Sequence, residues 1–421
     1  MSMSKRLRRC TSGSKITSSS QVVLDDEDLL TLILLHVPGK NLMSLKCVSR
    51  KWHSVITASH FIHLRNSLPV RASGLFIQRP LSAGVSNEVY FVPLDDQNAS
   101  SPFRNITFAH DPVGHEEIRI LQSCNGLLLC STAIYKPTKR RNCYVYNPST
   151  NALATLPKHP LSRAKSGFCH IGLSFDPSKS VHYKVIAFLF TSQSPSENVG
   201  NFHIYSSETG TWKASVQSFT PAPGMNFLGG VYWNGCVHWL SDLMTKSEPE
   251  SSLSDCLYFN VEEERLETFP RPPIGVRSSS RRSLYFGQSE DHLHVIEIRP
   301  GATSLGVYEM KNDYSEWFVK YEIDLDPISK VFPEIKDEAI SEDQKGDDYA
   351  VDVLSLIRRE NFLEDSFLVL EIPGKAIRYN LVDRSFKLIR DFAMKTGLEN
   401  LDRRAFGRLN AWQYIESLSY V

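Results

Sequence analysis

The chain has 421 residues, which is enough for two or three domains or for one small and one large domain. Hydrophobic residues make up 41% of it and charged residues 22%, the proportions of an ordinary soluble globular protein. The 47 basic residues balance the 47 acidic residues, so the formal net charge is zero. This balance argues against broad electrostatic attraction to nucleic acid or to an anionic membrane, and leaves only local charged patches.

Residues 1–20 are rich in Ser, Thr and basic residues, and we expect a disordered tail. The basic run Lys5–Arg9 is either a solubilising feature or a nuclear import signal. No apolar segment follows it, so we expect no secretory signal, and no apolar run approaches the roughly 18–20 residues that cross a bilayer. The eight cysteines are scattered, which is typical of reduced thiols in the nucleus or the cytoplasm.

Residues 21–66 have the pattern of a small helical module. Asp25 or Asp26 can cap the first helix by accepting hydrogen bonds from its free backbone N–H groups. The run Leu29–Leu35 is apolar except for Thr31, so apolar side chains point nearly all the way around this helix. A helix of that kind must be covered on more than one side.

Two shorter helices are expected next. Pro38 and Gly39 should end the first helix, Asn41 should cap the second, and Ser49 should cap the third. About forty residues cannot bury this much apolar surface alone. The covering partner is either the rest of the chain or another protein that packs on the helices, and the periodicity leaves both open.

The segment resembles an F-box in the order and spacing of its apolar residues. An F-box has an apolar first helix, a Leu-Pro pair and a Cys-Val-Ser-Lys-x-Trp-type run. The last two features are matched here by Val37-Pro38 and by Cys47–Trp52. An F-box also begins with Leu-Pro, whereas Leu24 is followed by Asp25. This departure makes the entry to the helix less rigid and puts the affinity for an adaptor in doubt.

The resemblance implies that the module binds a Skp-type adaptor and, through it, the cullin and RING subunits of a ubiquitin ligase. The residues expected to face or shape this surface are Leu24, Leu29, Leu30, Ile33, Leu34, Val37, Pro38, Leu45, Val48 and Trp52. The alternative for each of them is a place in the core of the module itself, above all for Val48 and Trp52.

From about residue 72, short apolar runs alternate with turn residues, the pattern of an all-β domain. A loose repeat joins a turn and apolar run, such as Cys124–Cys130, to a strand–turn–strand segment, such as Tyr144–Pro157. The aromatic residues that anchor the copies are Phe91, Tyr146, Tyr205, Phe259, Tyr308 and Tyr379. Six such units over residues 72–400 predict a β-propeller of about six blades (six to eight), with an array of β-sandwiches as the alternative.

This region resembles the F-box-associated, kelch-like domain that follows the F-box in plant proteins, which implies a β-propeller. The motifs that carry the resemblance are Ser123-Cys-Asn-Gly-Leu-Leu, Tyr146–Thr150, Phe175-Asp-Pro177 and Gly229–Gly235. Residues 401–421 should close the domain with a strand or a packed helix, and their spacing does not decide between them.

Three long inserts are the places where target recognition is expected, because loops carry recognition on rigid scaffolds. Residues 241–256 are rich in Ser and Glu, residues 271–283 are basic, and residues 333–349 are acidic. The alternative is that all three are solvated loops without a partner.

The sequence contains no nucleophile elbow and no phosphate-binding loop. His292 and His294 share one face of a predicted strand, a pairing that suits a metal, but no third ligand has suitable spacing. We therefore expect structural roles for them, as for His60 and His63 one helical turn apart. No cofactor and no catalysis are expected.

Together these features predict a substrate-recognition subunit of an SCF-type (Skp–cullin–F-box) ubiquitin ligase in the nucleus or the cytoplasm. Such a subunit is not an enzyme, because it holds an unknown target protein near the ubiquitin-charged enzyme. One alternative is a propeller enzyme, which needs a metal or acid–base cluster at the centre of the ring. The other is a kelch-like interaction scaffold without a ligase role. Neither nucleic acid nor a membrane is an expected partner.

Overall fold

The computed structural model divides the chain into two compact units, Met1–Leu68 and Pro69–Val421. Among the residues that it describes, no helix is long and apolar enough to span a membrane. The described residues are 26–68, 71–78, 89–94, 101–102, 118–132, 142–158, 169–194, 197–219, 225–227, 230–243, 256–274, 283–298, 303–335, 350–359, 366–392 and 410–421.

The first unit contains four helices within its described range, one more than expected. They are α1 (Glu27–Leu35), α2 (Gly39–Leu45), α3 (Arg50–Thr57) and α4 (Ser59–Asn66). The Asp26 carboxylate caps α1 by accepting hydrogen bonds from the backbone N–H groups of Asp28 (2.9 Å) and Leu29 (3.0 Å). The Ser49 hydroxyl caps α3, as predicted, by accepting the backbone N–H of Trp52 at 3.2 Å.

The predicted boundary between the first two helices is wrong in one respect. Asn41 does not cap α2 but lies inside it, because the carbonyl of Pro38 already accepts the backbone N–H groups of Asn41 (2.9 Å) and Leu42 (3.1 Å). Gly39 accordingly begins α2, and α1 has already ended at Leu35.

The helical unit has its own apolar core, to which α1 contributes one face. Leu30 and Leu34 are 1% and 0% exposed, and α1 contacts α3 and α4. The guanidinium of Arg65 in α4 donates to the carbonyl of Leu35 at 2.9 Å and ties the end of α1 to α4. The other fully buried apolar side chains of this core are Leu42, Val55, Ile56, Phe61 and Ile62.

Within the described residues, the second unit contains six antiparallel sheets of three or four strands, which we number as blades 1 to 6, and one two-stranded ribbon. Blade 1 contains β1 (Ala72–Gln78), β2 (Val89–Pro93) and, from the other end of the chain, β25 (Asn410–Ile415). Blade 2 contains β3 (Ile118–Cys124), β4 (Leu127–Thr132), β5 (Cys143–Asn147) and β6 (Ala152–Thr155). Blade 3 contains β7 (Cys169–Ser174), β8 (Lys184–Ser194), β9 (Glu197–Ser206) and β10 (Thr211–Phe219).

The remaining blades follow in chain order, with two additions. A ribbon of β11 (Met225–Phe227) and β14 (Ser241–Leu243) flanks blade 4, and α5 (Asp326–Val331) with a 3₁₀ turn (Pro333–Ile335) precedes blade 6. Blade 4 contains β12 (Val231–Trp233), β13 (Cys236–Trp239), β15 (Cys256–Asn260) and β16 (Arg265–Phe269). Blade 5 contains β17 (Ser283–Ser289), β18 (His292–Ile298), β19 (Ser304–Met310) and β20 (Trp317–Asp324). Blade 6 contains β21 (Asp352–Ile357), β22 (Phe367–Ile372), β23 (Lys375–Asn380) and β24 (Phe386–Asp391).

The six sheets close into a ring. The innermost strands of successive blades contact each other in the order β25, β3, β7, β12, β17 and β21, and β21 contacts β25 again. Each pair of neighbouring sheets also shares an apolar cluster, including the pairs on both sides of blade 1. The unit is therefore a six-bladed β-propeller, which confirms the predicted ring over the array of sandwiches.

The repeat anchors mark one position in every blade. Counted outward from the ring centre, each lies in the third strand of its sheet: Phe91 in β2, Tyr146 in β5, Tyr205 in β9, Phe259 in β15, Tyr308 in β19 and Tyr379 in β23. For the last segment, the structure contains the strand rather than the helix, because β25 pairs along β1 from Ala72 to Gln78. The first and last strands of the propeller thus complete the same blade.

Candidate adaptor-binding surface

The α1 helix exposes a second apolar face opposite to its buried one. Leu29, Leu32 and Ile33 are 41%, 56% and 50% exposed, and their i, i+3, i+4 spacing places them on one side of the helix. We call these three residues the α1 stripe. Leu30 and Leu34 point into the core instead. The helix is therefore apolar on two sides, and the described residues of the helical unit cover only one of them.

The other predicted surface residues divide into three groups. Val48, in the turn after α2, is 59% exposed, and Pro38 is also exposed. Val37, Leu45 and Trp52 are half-buried. Leu24 lies outside the described residues, so its place in this surface stays a prediction.

Burial separates side chains that shape the surface from those that face solvent. Leu30 and Leu34 support this surface from the core of the unit, since neither side chain reaches the solvent. Val48 is not part of the core, contrary to the alternative considered for it, because its turn holds the side chain in water. Leu32 was missing from the predicted set, although its spacing from Leu29 was visible in the sequence.

The histidine pair on β18 belongs to a buried ionic cluster centred on Glu309. The two oxygens of this carboxylate lie 3.1 Å from His292 Nδ1 and 3.2 Å from His294 Nε2. They also lie 2.8 Å from a guanidinium nitrogen of Arg358 and 3.6 Å from Lys320 Nζ. Sequence spacing could not reveal Glu309 as a partner because β19 brings it next to β18 only in the folded sheet.

This cluster is an ion-pair network. Two cationic side chains already contact the carboxylate, and no group of metal-binding side chains occurs in the part of the chain that the structure describes. Burial lowers the pKa of His294 to about 4, so this imidazole is neutral near pH 7. Burial alone would raise the pKa of Glu309, but hydrogen bonds from His292 and His294 and the charge of Arg358 hold it well below its usual range. The cluster joins blade 5 to Arg358 of blade 6.

Two family models match the chain. The F-box domain model matches residues 26–64, which contain α1 to most of α4. The F-box associated beta propeller domain model matches residues 85–345, which contain blades 2 to 5.

The chain belongs to the F-box proteins that carry an F-box-associated β-propeller.

This F-box protein is similar to F-box proteins of Arabidopsis thaliana, one of which matches almost its whole length. F-box protein At5g07610 of Arabidopsis thaliana is 32% identical, over 99% of this chain and 97% of its own. F-box protein At5g49610 of the same plant is 27% identical, over 73% of this chain and 81% of its own. Among solved structures, the β-propeller domain of the Trilobed protease from Pyrococcus furiosus covers 64% of this chain and 79% of its own. Its TM-score of 0.30 and identity of 9% are too low to bear on function.

The three predicted recognition inserts of this F-box protein start and finish at one end of its propeller. They join the second to the third strand of blade 4, blade 4 to blade 5, and blade 5 to blade 6. Successive strands of an antiparallel sheet run in opposite directions. All three connections therefore lie at the end of the propeller that is opposite to the turns between the first and second strands. Most of each insert (residues 244–255, 275–282 and 336–349) lies outside the described residues.

Proposed function

We propose that this F-box protein is the substrate-recognition subunit of an SCF-type ubiquitin ligase. The α1 stripe binds a Skp-type adaptor, which connects the chain to the cullin and RING subunits, and the propeller binds a target protein. The observation that supports this most directly is that Leu29, Leu32 and Ile33 stay in water on a helix inside the F-box match. Catalysis belongs to other subunits, and this chain supplies proximity.

The stripe has the geometry of a helix that docks into an apolar groove, with anchors at i, i+3 and i+4. Full burial of one aliphatic side chain contributes about 1.5–3 kcal/mol. Since these three side chains are about half exposed, covering them contributes roughly 2–4 kcal/mol. A micromolar complex needs about 8 kcal/mol. The adaptor must therefore also contact neighbouring residues, among which Val48 and Pro38 are exposed.

We further propose that the target binds at the end of the propeller where the three inserts emerge. Blades 4, 5 and 6 carry these connections, and long loops on rigid scaffolds are the usual places of recognition. The nucleus and the cytoplasm are the compartments that we propose for this complex.

The first test is capture of a purified Skp-type adaptor by Ile33→Asp and Leu32→Asp variants of the full chain. Each change places a carboxylate in the proposed interface without touching the core, so we expect loss of capture with the unfolding transition unchanged. Leu68→Asp is the matched control, because Leu68 is 44% exposed and lies outside the F-box match. Leu34→Asp is unsuitable, since a charge at this buried site would unfold the unit. Normal capture by both stripe variants would overturn the proposal.

A kelch-like interaction scaffold without a ligase role is the competing function, and Asp25 in place of the usual proline is the feature that favours it. The two functions differ in the behaviour of the wild-type chain. A ligase subunit captures the adaptor, and an Asp25→Pro change strengthens capture by making the helix entry more rigid. A scaffold captures no adaptor before or after the change.

A further inference from the structure

Three of the six residues that follow β25 are buried although they belong to no strand. Ser417, Leu418 and Ser419 are only 6%, 5% and 2% exposed. Val421 packs against the apolar cluster between blades 2 and 3. This segment, residues 416–421, therefore extends from blade 1 across blade 2. We call it the tail.

Asn147 at the end of β5 holds the tail through one side chain. Its amide nitrogen donates to the carbonyl oxygens of Ser417 (3.1 Å) and Ser419 (2.7 Å). Its amide oxygen accepts the backbone N–H groups of Ser149 (2.9 Å) and Thr150 (3.4 Å). Asn147 is fully buried, so these contacts are shielded from water. One side chain thus joins a turn of blade 2 to the tail.

Two more residues of blade 2 fit the tail. The Ser149 hydroxyl accepts the backbone N–H of Ser417 at 3.1 Å and lies 3.0 Å from the hydroxyl of Tyr414 in β25. Gly126, at φ +93°, lies so close to the tail that a Cβ there would be 2.4 Å from Cβ of Ser417 and 2.9 Å from the carbonyl oxygen of Ile415. Both turns, Asn125-Gly126 and Asn147–Thr150, were recognised in the sequence as family motifs.

The hydrogen bonds that the Asn147 amide oxygen accepts recur at the corresponding turn of blade 4. That turn supplies a control, because it does not involve the tail. Asn260 follows the anchor Phe259 in blade 4, as Asn147 follows Tyr146 in blade 2. The amide oxygen of Asn260 likewise accepts two backbone N–H groups, those of Glu262 and Glu263, both at 3.0 Å. The turn therefore accounts for the hydrogen bonds that the amide oxygen of Asn147 accepts. The hydrogen bonds that its amide nitrogen donates are made to the tail.

The strand that precedes the tail is central to ring closure. The amide nitrogen of Gln413 lies within hydrogen-bond distance of the carbonyls of Gln288 in blade 5 (3.2 Å) and Leu356 in blade 6 (3.1 Å). The Ser123 hydroxyl of blade 2 donates to the Gln413 carbonyl at 2.6 Å. β25 itself pairs with β1. Release of β25 would therefore open the ring at blade 1.

We propose that the tail is a latch that keeps the propeller closed, with the two turns of blade 2 as its receptor. The strand β25 cannot leave β1 until the tail has left Asn147, Ser149 and Gly126. The latch thus sets how often blade 1 opens, independently of adaptor or target binding.

Hydrogen exchange of the full chain, followed by mass spectrometry, tests the latch with two matched pairs. Asn147→Asp keeps the acceptor of the turn but places an oxygen against two tail carbonyls, and Asn260→Asp keeps the same turn without involving the tail. Since two buried hydrogen bonds are lost, we expect exchange in Ala72–Gln78 and Asn410–Ile415 to accelerate about tenfold or more in the first variant only.

The second matched pair is Gly126→Ala and Gly235→Ala. Both glycines have positive φ, but a Cβ at Gly235 would meet nothing within 4 Å. We expect faster exchange in the same strands for Gly126→Ala alone.

Removal of residues 416–421 completes the test. The deletion should accelerate exchange in β1 and β25, and Asn147→Asp should add little to it, because the same contacts are already gone. Equal effects of the two members of each pair would overturn the proposal. So would acceleration spread evenly over all six blades, or full additivity of Asn147→Asp and the deletion.

Discussion

In the helical unit, α1 carries apolar side chains on two faces, and the face with Leu29, Leu32 and Ile33 stays in water. In the propeller, each sheet packs both faces on its neighbours, and the exposed large apolar side chains are spread over several strands, turns and α5. Five of the twelve such side chains among the described residues belong to the short helical unit. The difference is that the propeller sheets bury their apolar faces against one another, whereas α1 leaves one apolar face exposed.

The largest effect that we predict concerns the buried ionic contact between blades 5 and 6. Arg358→Ala would leave Glu309 buried without its guanidinium, which typically costs about 3–5 kcal/mol. Lys213→Ala is the control, since Lys213 and Glu264 form an exposed pair between blades 3 and 4 that contributes less than about 1 kcal/mol. Denaturant unfolding of the full chain measures both. Equal stabilities of the two variants would show that closure of the propeller does not depend on the Glu309 cluster.

The two faces of α1 give the next largest contrast. Leu34→Ala removes a fully buried side chain and should destabilise the helical unit by about 3 kcal/mol. Leu32→Ala, two positions away on the exposed face, should change its stability by less than about 0.5 kcal/mol. Hydrogen exchange in residues 26–68 of the full chain reports both values. A similar loss in both variants would mean that the α1 stripe is part of the core.

As the pH falls, the propeller should lose stability before the helical unit does. Burial lowers the pKa of His238 to about 3 and that of His294 to about 4, whereas an unfolded histidine binds its proton near pH 6.5. Between these values the unfolded chain holds more protons, so stability falls as the pH falls from 6.5 towards 4. Each histidine contributes up to about 1.4 kcal/mol per pH unit. The four histidines of the helical unit, His36, His53, His60 and His63, are all exposed.

Urea unfolding at pH 7 and pH 5 checks this dependence. His238→Gln can keep the hydrogen bond to the Tyr314 hydroxyl, which lies 2.9 Å from His238 Nε2, while removing the titration. We expect the number of protons that this variant takes up on unfolding to be lower by about one, so its stability should depend less on pH. An unchanged dependence would assign the acid sensitivity to other groups.

Local patterns were enough to predict much of the fold. Asn-Gly turns and recurring aromatic residues located the third strand of every blade, because strand periodicity and turn chemistry depend on residues that are close in the sequence. The cap at Asp26 and the cap at Ser49 were predictable for the same reason. The start of α2 was not, since Pro38 and Gly39 suited the end of α1 and Asn41 suited a cap, whereas α1 ended earlier, at Leu35.

The parts that sequence could not supply are contacts between distant residues. Glu309 meets Arg358 and the tail meets Asn147 only because the ring brings separate blades together. Likewise, periodicity showed that α1 has apolar residues on all sides but not which side the core takes. The burial of Leu30 and Leu34 decides this, and it leaves Leu29, Leu32 and Ile33 exposed.

Calorimetric titration of the full chain with a purified Skp-type adaptor tests the role of the α1 stripe most directly. A buried carboxylate without a partner costs several kcal/mol, so Leu32→Asp should weaken binding by about a hundredfold or more, while Leu68→Asp leaves it unchanged. Binding of wild-type strength by Leu32→Asp, or an equal loss in Leu68→Asp, would contradict the assignment of this helix face to the adaptor.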